Sequence, residues 1–329
     1  LKKKVYGKRL KSFFIGYILL TIFFGNTAYQ AGNISGSLIG LNKLLEIITP
    51  EFSRLINPFL LLIIGVILIS IILKQNIKLL KTILGIAVLL MSVSFLIAAI
   101  LTKPNLNDLL YGFFIPRWRP ETWSTIVAVL GTTIVPYNLF LHAWLVKKER
   151  SKNINFDSFK KDTIIAVSFG GIISTSIVIA AAGANINELV SIDDLGTSLH
   201  ILYGQKSELF ISLGLFSAGL SSALTAPLAA AFIVQESLNE YSSKRKLQII
   251  VPILIIVSGL IFTFLDSNPF NLIRLAQILN GLMLPGITLF ISYLYFSVQK
   301  NSFDFKIRIF GLLLLFLFFT FLAFKILFL

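Results

Sequence analysis

Nine apolar stretches, each roughly the length of a membrane-crossing helix, are separated by short polar connections along almost the whole chain. They lie at 12–41, 55–73, 79–101, 122–146, 163–184, 208–235, 247–265, 270–297 and 307–328. About 20 consecutive apolar residues carry a helix through the hydrocarbon core, so the pattern predicts an all-α polytopic membrane protein with about nine transmembrane helices. The longest connections, 102–121 and 185–207, are too short to form a soluble domain.

The fourth stretch is not a plain apolar helix. It contains the run Gly131, Thr132, Thr133, Ile134, Val135, Pro136, Tyr137, Asn138, Leu139, Phe140, Leu141, His142. Pro136 removes a backbone donor and collides with the carbonyl four residues earlier, so carbonyls around Thr132 and Thr133 lose their helical partners. In lipid such carbonyls are tolerated only beside protein or a water-filled cavity. Broken helices at mid-membrane are how many secondary transporters present carbonyls and helix ends to ions. Gly131 and Pro136 therefore mark a candidate helix break. A proline alone also kinks transmembrane helices that carry no site, and it is the neighbouring residues that favour the functional reading.

Composition and charge sharpen the membrane reading. Hydrophobic residues make up 56% of the chain and charged residues 13%, and the mean hydropathy is +0.87. The net charge of +14 could suggest nucleic acid, but its distribution points to topology instead. Clusters at Lys2–Lys11, Lys74–Lys81, Lys147–Lys161, Lys244–Lys246 and Lys300–Arg308 hold 21 of the 29 cationic residues. The alternate connections hold Lys43, Arg54, Lys103, Arg117, Arg119 and Lys206, with the acidic group Glu188, Asp193 and Asp194. The positive-inside rule then places the residue 1 side in the cytoplasm and the C-terminus outside. Zero cysteines exclude disulfides and thiolate metal sites. The basic start leads into a long span without a small-residue cleavage pattern, unlike a secretory signal. Because the chain begins with Leu1, an N-terminally incomplete sequence is expected.

All fifteen acidic residues, from Glu46 to Asp304, fall in connections or at span ends. A divalent cation is usually held by carboxylates, carbonyls and water. Either the ion keeps much of its water, or the missing carboxylate lies upstream of this sequence.

Val135 to His142 resembles the broken sixth helix of the Nramp family of divalent metal transporters. The family carries Met-Pro-His-Asn there, followed by Leu, an aromatic or Leu, Leu and His. Gln277 and Pro285 reproduce the family's Gln and Pro eight residues apart in the tenth helix. Ala218 to Pro227, reading AGLSSALTAP, resembles its eighth helix, and Asn33 to Leu41 its third. The resemblance covers essentially the whole chain. It implies the inverted-repeat, leucine-transporter-like fold, with this chain supplying family helices 3 to 11. Residues 1–329 would be a single transporter domain lacking the first two helices: 1–101 the remainder of the first repeat, 122–297 the second, and 307–328 an extra C-terminal helix. The Asp-Pro-Gly-Asn break of the family's first helix is absent.

The resemblance also implies a function: divalent metal transport by alternating access, with no cofactor, no enzymatic activity, and the ion and the lipid bilayer as partners. Abundant Phe, Ile and Lys suggest an AT-rich bacterial genome, hence a bacterial cytoplasmic membrane. The implied metal ligands are the Thr132 carbonyl and the Gln277 side chain, with Asn138 helping to hold the unwound segment. Val135 stands at the family's Met. A thioether is a soft ligand that favours transition metals, and valine coordinates nothing. The remaining oxygen site resembles the magnesium-transporting branch, so the expected ion is Mn²⁺ or Fe²⁺ or, given the lost thioether, Mg²⁺. Third-helix carboxylates align with Gln30 and Asn33, and the motif His aligns with Tyr137; amides do not titrate, and a free tyrosine does so only at about 10. Only His142 is left to exchange a proton near neutral pH, and weak or no proton coupling is expected.

Other readings stay open. His142 could be a packed core histidine. Gln277 and Asn280, like Gln30 and Asn33, could be interhelical hydrogen-bonding groups, and Gly214, Ala218, Ser222 and Ala226 a close-packing face. Arg274, near a span end, fits a snorkelling side chain. Amino acid carriers share the architecture, an intramembrane enzyme lacks any embedded catalytic constellation, and a truncated chain could transport nothing.

Overall fold

The computed structural model describes residues 8–49, 57–74, 78–115, 119, 122–150, 156–184, 192–238, 244–265, 269–298 and 303–328. Of the charges assigned to connections and span ends, Lys2, Lys3, Lys4, Arg54, Arg117, Lys152, Lys300, Glu51, Glu121, Glu188, Glu240 and Asp266 lie outside the described residues.

Every apolar stretch falls on a helix, as it must where no water is at hand to take up backbone hydrogen bonds. The order is α1 (Lys8–Ile48), α2 (Asn57–Lys74), α3 (Lys78–Leu101), α4 (Leu106–Phe114), α5 (Trp123–Thr133), α6 (Pro136–Arg150), α7 (Phe156–Gly183), α8 (Ile192–Thr197), α9 (His200–Tyr203), α10 (Ser207–Ser237), α11 (Lys244–Leu265), α12 (Pro269–Val298) and α13 (Phe303–Phe328). Among the described residues, eight helical segments are long and apolar enough to cross a membrane, and α5 and α6 together form one of them. The ninth expected span is the shorter apolar stretch Phe59–Leu73 within α2.

Two connections are more ordered than the hydropathy pattern implied. Residues 102–121 contain α4, started by Asn105, whose side chain accepts from the Asn107 backbone N–H at 3.0 Å. This is an ordinary N-cap. Residues 185–207 contain α8 and α9, and α9 leads through a single tight turn into α10, so the sixth span begins at His200 rather than at 208. Helices this short cannot span the hydrocarbon core, so a search for crossing segments passes over them.

The long α1, 41 residues or about 60 Å at about 1.5 Å per residue, is the axis of the bundle. It packs against α10, α11 and α12, while α5 and α13 lie on α12, α3 on α10, and α7 on α3. Polar bonds key these contacts. Thr263 Oγ1 donates to the Ala31 carbonyl at 3.2 Å, Thr27 and Ser258 hydroxyls lie 3.2 Å apart, and Gln30 Nε2 donates to the Ala223 carbonyl at 2.9 Å. Small residues let the backbones approach, the usual device where lipid supplies no hydrophobic drive between helices. A Cβ on Gly219 of α10 would stand 2.5 Å from the Ser37 nitrogen and 2.7 Å from the Asn33 carbonyl oxygen of α1. Leu62, Val66, Ile100, Val167, Phe310 and many similar side chains face outward, as a lipid-facing surface requires.

Ion pairs sit at opposite ends of this bundle. Lys43 of α1 reaches Asp193 of α8 at 2.7 Å and Glu208 of α10 at 3.3 Å. At the other end Lys147 of α6 pairs with Glu236 of α10, beside the stacked rings of Trp144 and Phe232, whose centroids are 4.7 Å apart.

Gly219→Ala should destabilise the bundle by about 1–3 kcal/mol through overpacking against backbone. Gly16→Ala, with nothing within 4 Å of the new methyl, should be neutral or stabilising. Thermal melts of the two variants in detergent, read by size-exclusion recovery, check the contrast.

Candidate functional site

The break in the fourth span is built into the backbone. Helix α5 ends at Thr133, where Ile134 N–H donates to the Leu130 carbonyl at 2.8 Å. Helix α6 begins at Pro136, and its first turn is closed by Asn138 N–H donating to the Val135 carbonyl at 3.1 Å. The α-helical partner of the Thr132 carbonyl would be the nitrogen of residue 136, and proline has no hydrogen there.

The end of α5 is pressed against α12 just where Gln277 sits. Gly131 is buried, and a Cβ on it would overlap the Gln277 carbonyl oxygen and crowd the Gly281 nitrogen. Further along the same pair, Arg274 Nη2 donates to Ser124 Oγ at 2.6 Å. The Arg274 head group is thus a helix-to-helix tie, beyond the snorkelling that its position suggested.

Beside this contact lies a cavity of about 180 Å³ between α1, α10 and α12. Its polar groups come from Tyr29, Asn33, Ser222 and Gln277, and its room from Gly32, Gly36, Ala218 and Gly219. The Tyr29 hydroxyl lies near the Thr132 side chain, which joins the cavity to the helix break. The Tyr29 ring also meets that of Tyr137 edge-on at 5.9 Å. Toward the Lys147 end, an apolar cluster of Phe14, Ile18, Ile22, Val135, Tyr137, Ala226, Ala230 and Phe290 closes the interior. The cavity therefore sits on the Lys43 side of an apolar plug.

The sequence-derived candidates are distributed unevenly around this geometry. Asn33 and Gln277 line the cavity, and Gly131 and Thr132 border it. Val135, only 2% exposed, is part of the plug, as is Tyr137. Gln30 is fully buried against α10 by its bond to Ala223 and is not a lining residue. Asn138 and His142 face outward from α6, and His142 Nε2 lies 3.4 Å from Thr163 Oγ1 on α7. Among the described residues no group of three His, Asp or Glu could hold a metal, so the donors at the cavity are neutral amides, hydroxyls and carbonyls. Sequence reasoning missed Tyr29 as a lining residue and took Ser222 for packing alone. The spacing of Tyr29, Asn33 and Gly36 at i, i+4 and i+7 would have placed all three on one face of α1.

Known proteins are similar to this chain in sequence. Residues 2–327 match the family described as natural resistance-associated macrophage protein-like, Nramp. A natural resistance-associated macrophage protein 2 homolog of Dictyostelium discoideum is 25% identical over 304 residues, covering 86% of this chain and 46% of that protein. The divalent metal cation transporter MntH of Bacillus subtilis is 29% identical over 203 residues, covering 56% of this chain and 45% of its own. MntH of Pectobacterium carotovorum is 25% identical over 236 residues, 68% of this chain and 56% of its own. The chain thus spans about half the length of the curated relatives it matches. With a family match over nearly all its residues and eight segments able to cross a membrane, this chain is a multi-pass membrane protein belonging to the Nramp family.

Proposed function

We propose that this chain forms part of a divalent metal cation transporter that works by alternating access. The observation that carries the reading is the placement of an interrupted helix, with the Thr132 carbonyl freed by Pro136, beside a small cavity lined by Gln277. The names of its MntH relatives point the same way. The inverted repeats would be residues 1–101 and 122–297, with 307–328 outside them. The residue 1 side would face the cytoplasm, in a bacterial cytoplasmic membrane.

The donor chemistry bears on the ion. Valine at 135 contributes no soft ligand, and oxygen donors suit Mg²⁺ and Mn²⁺. In this reading the site discriminates weakly among Mn²⁺, Fe²⁺ and Mg²⁺, and binds an ion that keeps part of its hydration. Neutral Gln30, Asn33 and Tyr137 stand where a proton path would need titratable groups, so transport runs with weak coupling or none.

Three measurements check this. Gln277→Ala should lower ion uptake into proteoliposomes about tenfold, the loss of about 1.4 kcal/mol of ion binding, and an unchanged rate would remove Gln277 from the site. Val135→Met should favour Mn²⁺ over competing Mg²⁺ relative to the parent; equal inhibition by Mg²⁺ in both would count against the ion-selectivity argument. The absence of cysteine makes single-cysteine labelling clean: Asn33→Cys and Ser222→Cys should react with a small cationic thiol reagent, and Val135→Cys, inside the plug, should stay unlabelled.

A further inference from the structure

We infer that α1, α10 and α12 enclose a file of resident water that continues the cavity inward as far as Asn280. The inference rests on buried amides and is independent of what the protein transports.

Asn26, Gln30, Asn33 and Ser37 recur at i, i+4, i+7 and i+11, the spacing of one helix face. Each holds a buried polar atom without a protein partner: Asn26 Oδ1, Gln30 Oε1, Asn33 Nδ2 and Ser37 Oγ. Asn280 of α12 is fully buried, and neither its Oδ1 nor its Nδ2 has a partner. Among the described residues, buried side-chain atoms of this kind are confined to α1 and α12. In a low-dielectric interior each would carry its full desolvation penalty, and native interiors avoid such clusters unless something satisfies them.

The chemistry of the set selects the occupant. A cation satisfies oxygens only, yet the set includes the amide donors of Asn33 and Asn280. Reversing the Asn280 amide changes nothing, because both its ends are unpartnered. Water both donates and accepts, and buried water typically bridges several such groups. A route in is present, since Asn33 lines the cavity and Asn280 lies one helical turn beyond Gln277 on α12. Gly25 leaves the space: a Cβ there would stand 3.0 Å from Asn280 Oδ1 and 3.5 Å from Met283 Sδ. The Met283 sulfur is therefore a reporter beside Asn280.

The chain has two methionines, and the other, Met91 of α3, packs on Gly214 of α10 away from this face. Both are partly buried. The test is synchrotron hydroxyl-radical footprinting of the full chain in lipid nanodiscs, in heavy-oxygen water. Radicals born from ordered water oxidise the nearest side chains, and methionine converts readily to its sulfoxide. Met283 should take up heavy oxygen several-fold faster than Met91, and Asn280→Leu should bring its rate down toward that of Met91. Asn26→Leu gives a second variant should Asn280→Leu fail to fold, with the same fall expected. Equal rates for the two methionines in the parent, or a Met283 rate untouched in a folded variant, would overturn the proposal.

Discussion

In hydrocarbon, a backbone carbonyl or amide without a partner has no water to turn to. That constraint dictates helices for every apolar stretch, and it makes the interruption at Thr133 to Pro136 costly unless the surrounding protein accommodates it. The bundle does so with Gly131. Because that residue lacks a side chain, the frayed end of α5 lies directly on the backbone of α12 at Gln277 and Gly281. Tyr29 reaches over from α1 to the Thr132 side chain. Pro136 makes the break, and the close approach at Gly131 seats it beside the cavity.

Polarity inside the bundle follows a related division. On the Lys43 side of the plug the cavity is furnished with neutral hydrogen-bonding groups, and the plug itself is built of Phe, Ile, Val, Tyr and Ala. No described acidic side chain lies at mid-membrane depth, since those in the structure cluster at helix ends, as at Lys43 with Asp193 and Glu208. An ion entering this cavity meets dipoles rather than charges. Dipoles hold hydrated, hard cations without needing a proton to be displaced, which links the chemistry of the site to its proposed ion and to the proposed lack of coupling.

Much of the fold was legible because lipid imposes a strong and simple sequence signal. Spans of the expected length appear wherever 20-odd apolar residues run together, and Pro136 announced its break through the loss of one donor. The short helices α4, α8 and α9 were not legible, because helices too short to span the hydrocarbon core leave no mark in a search for crossing segments. Of the candidate residues, Gln277 and Asn33 were found by resemblance and do line the cavity, whereas Asn138 and His142, on the same segment as the break, face away from it. Motif spacing along one helix says which residues share a face, and not which face the bundle turns inward.

The sequence by itself determined that this chain lies in a membrane, which stretches are apolar enough to enter it, where the helix is broken, and that no acidic residue falls in the middle of an apolar stretch. These follow from composition and local chemistry. Only the tertiary structure decided that Val135 belongs to an apolar plug, that Tyr29 and Ser222 join Gln277 around a cavity, and that the amides of α1 and Asn280 are buried without partners. Those facts depend on which helices touch, and helix contacts in lipid are chosen by backbone fit at glycines such as Gly131 and Gly219 rather than by any pattern along one strand of sequence.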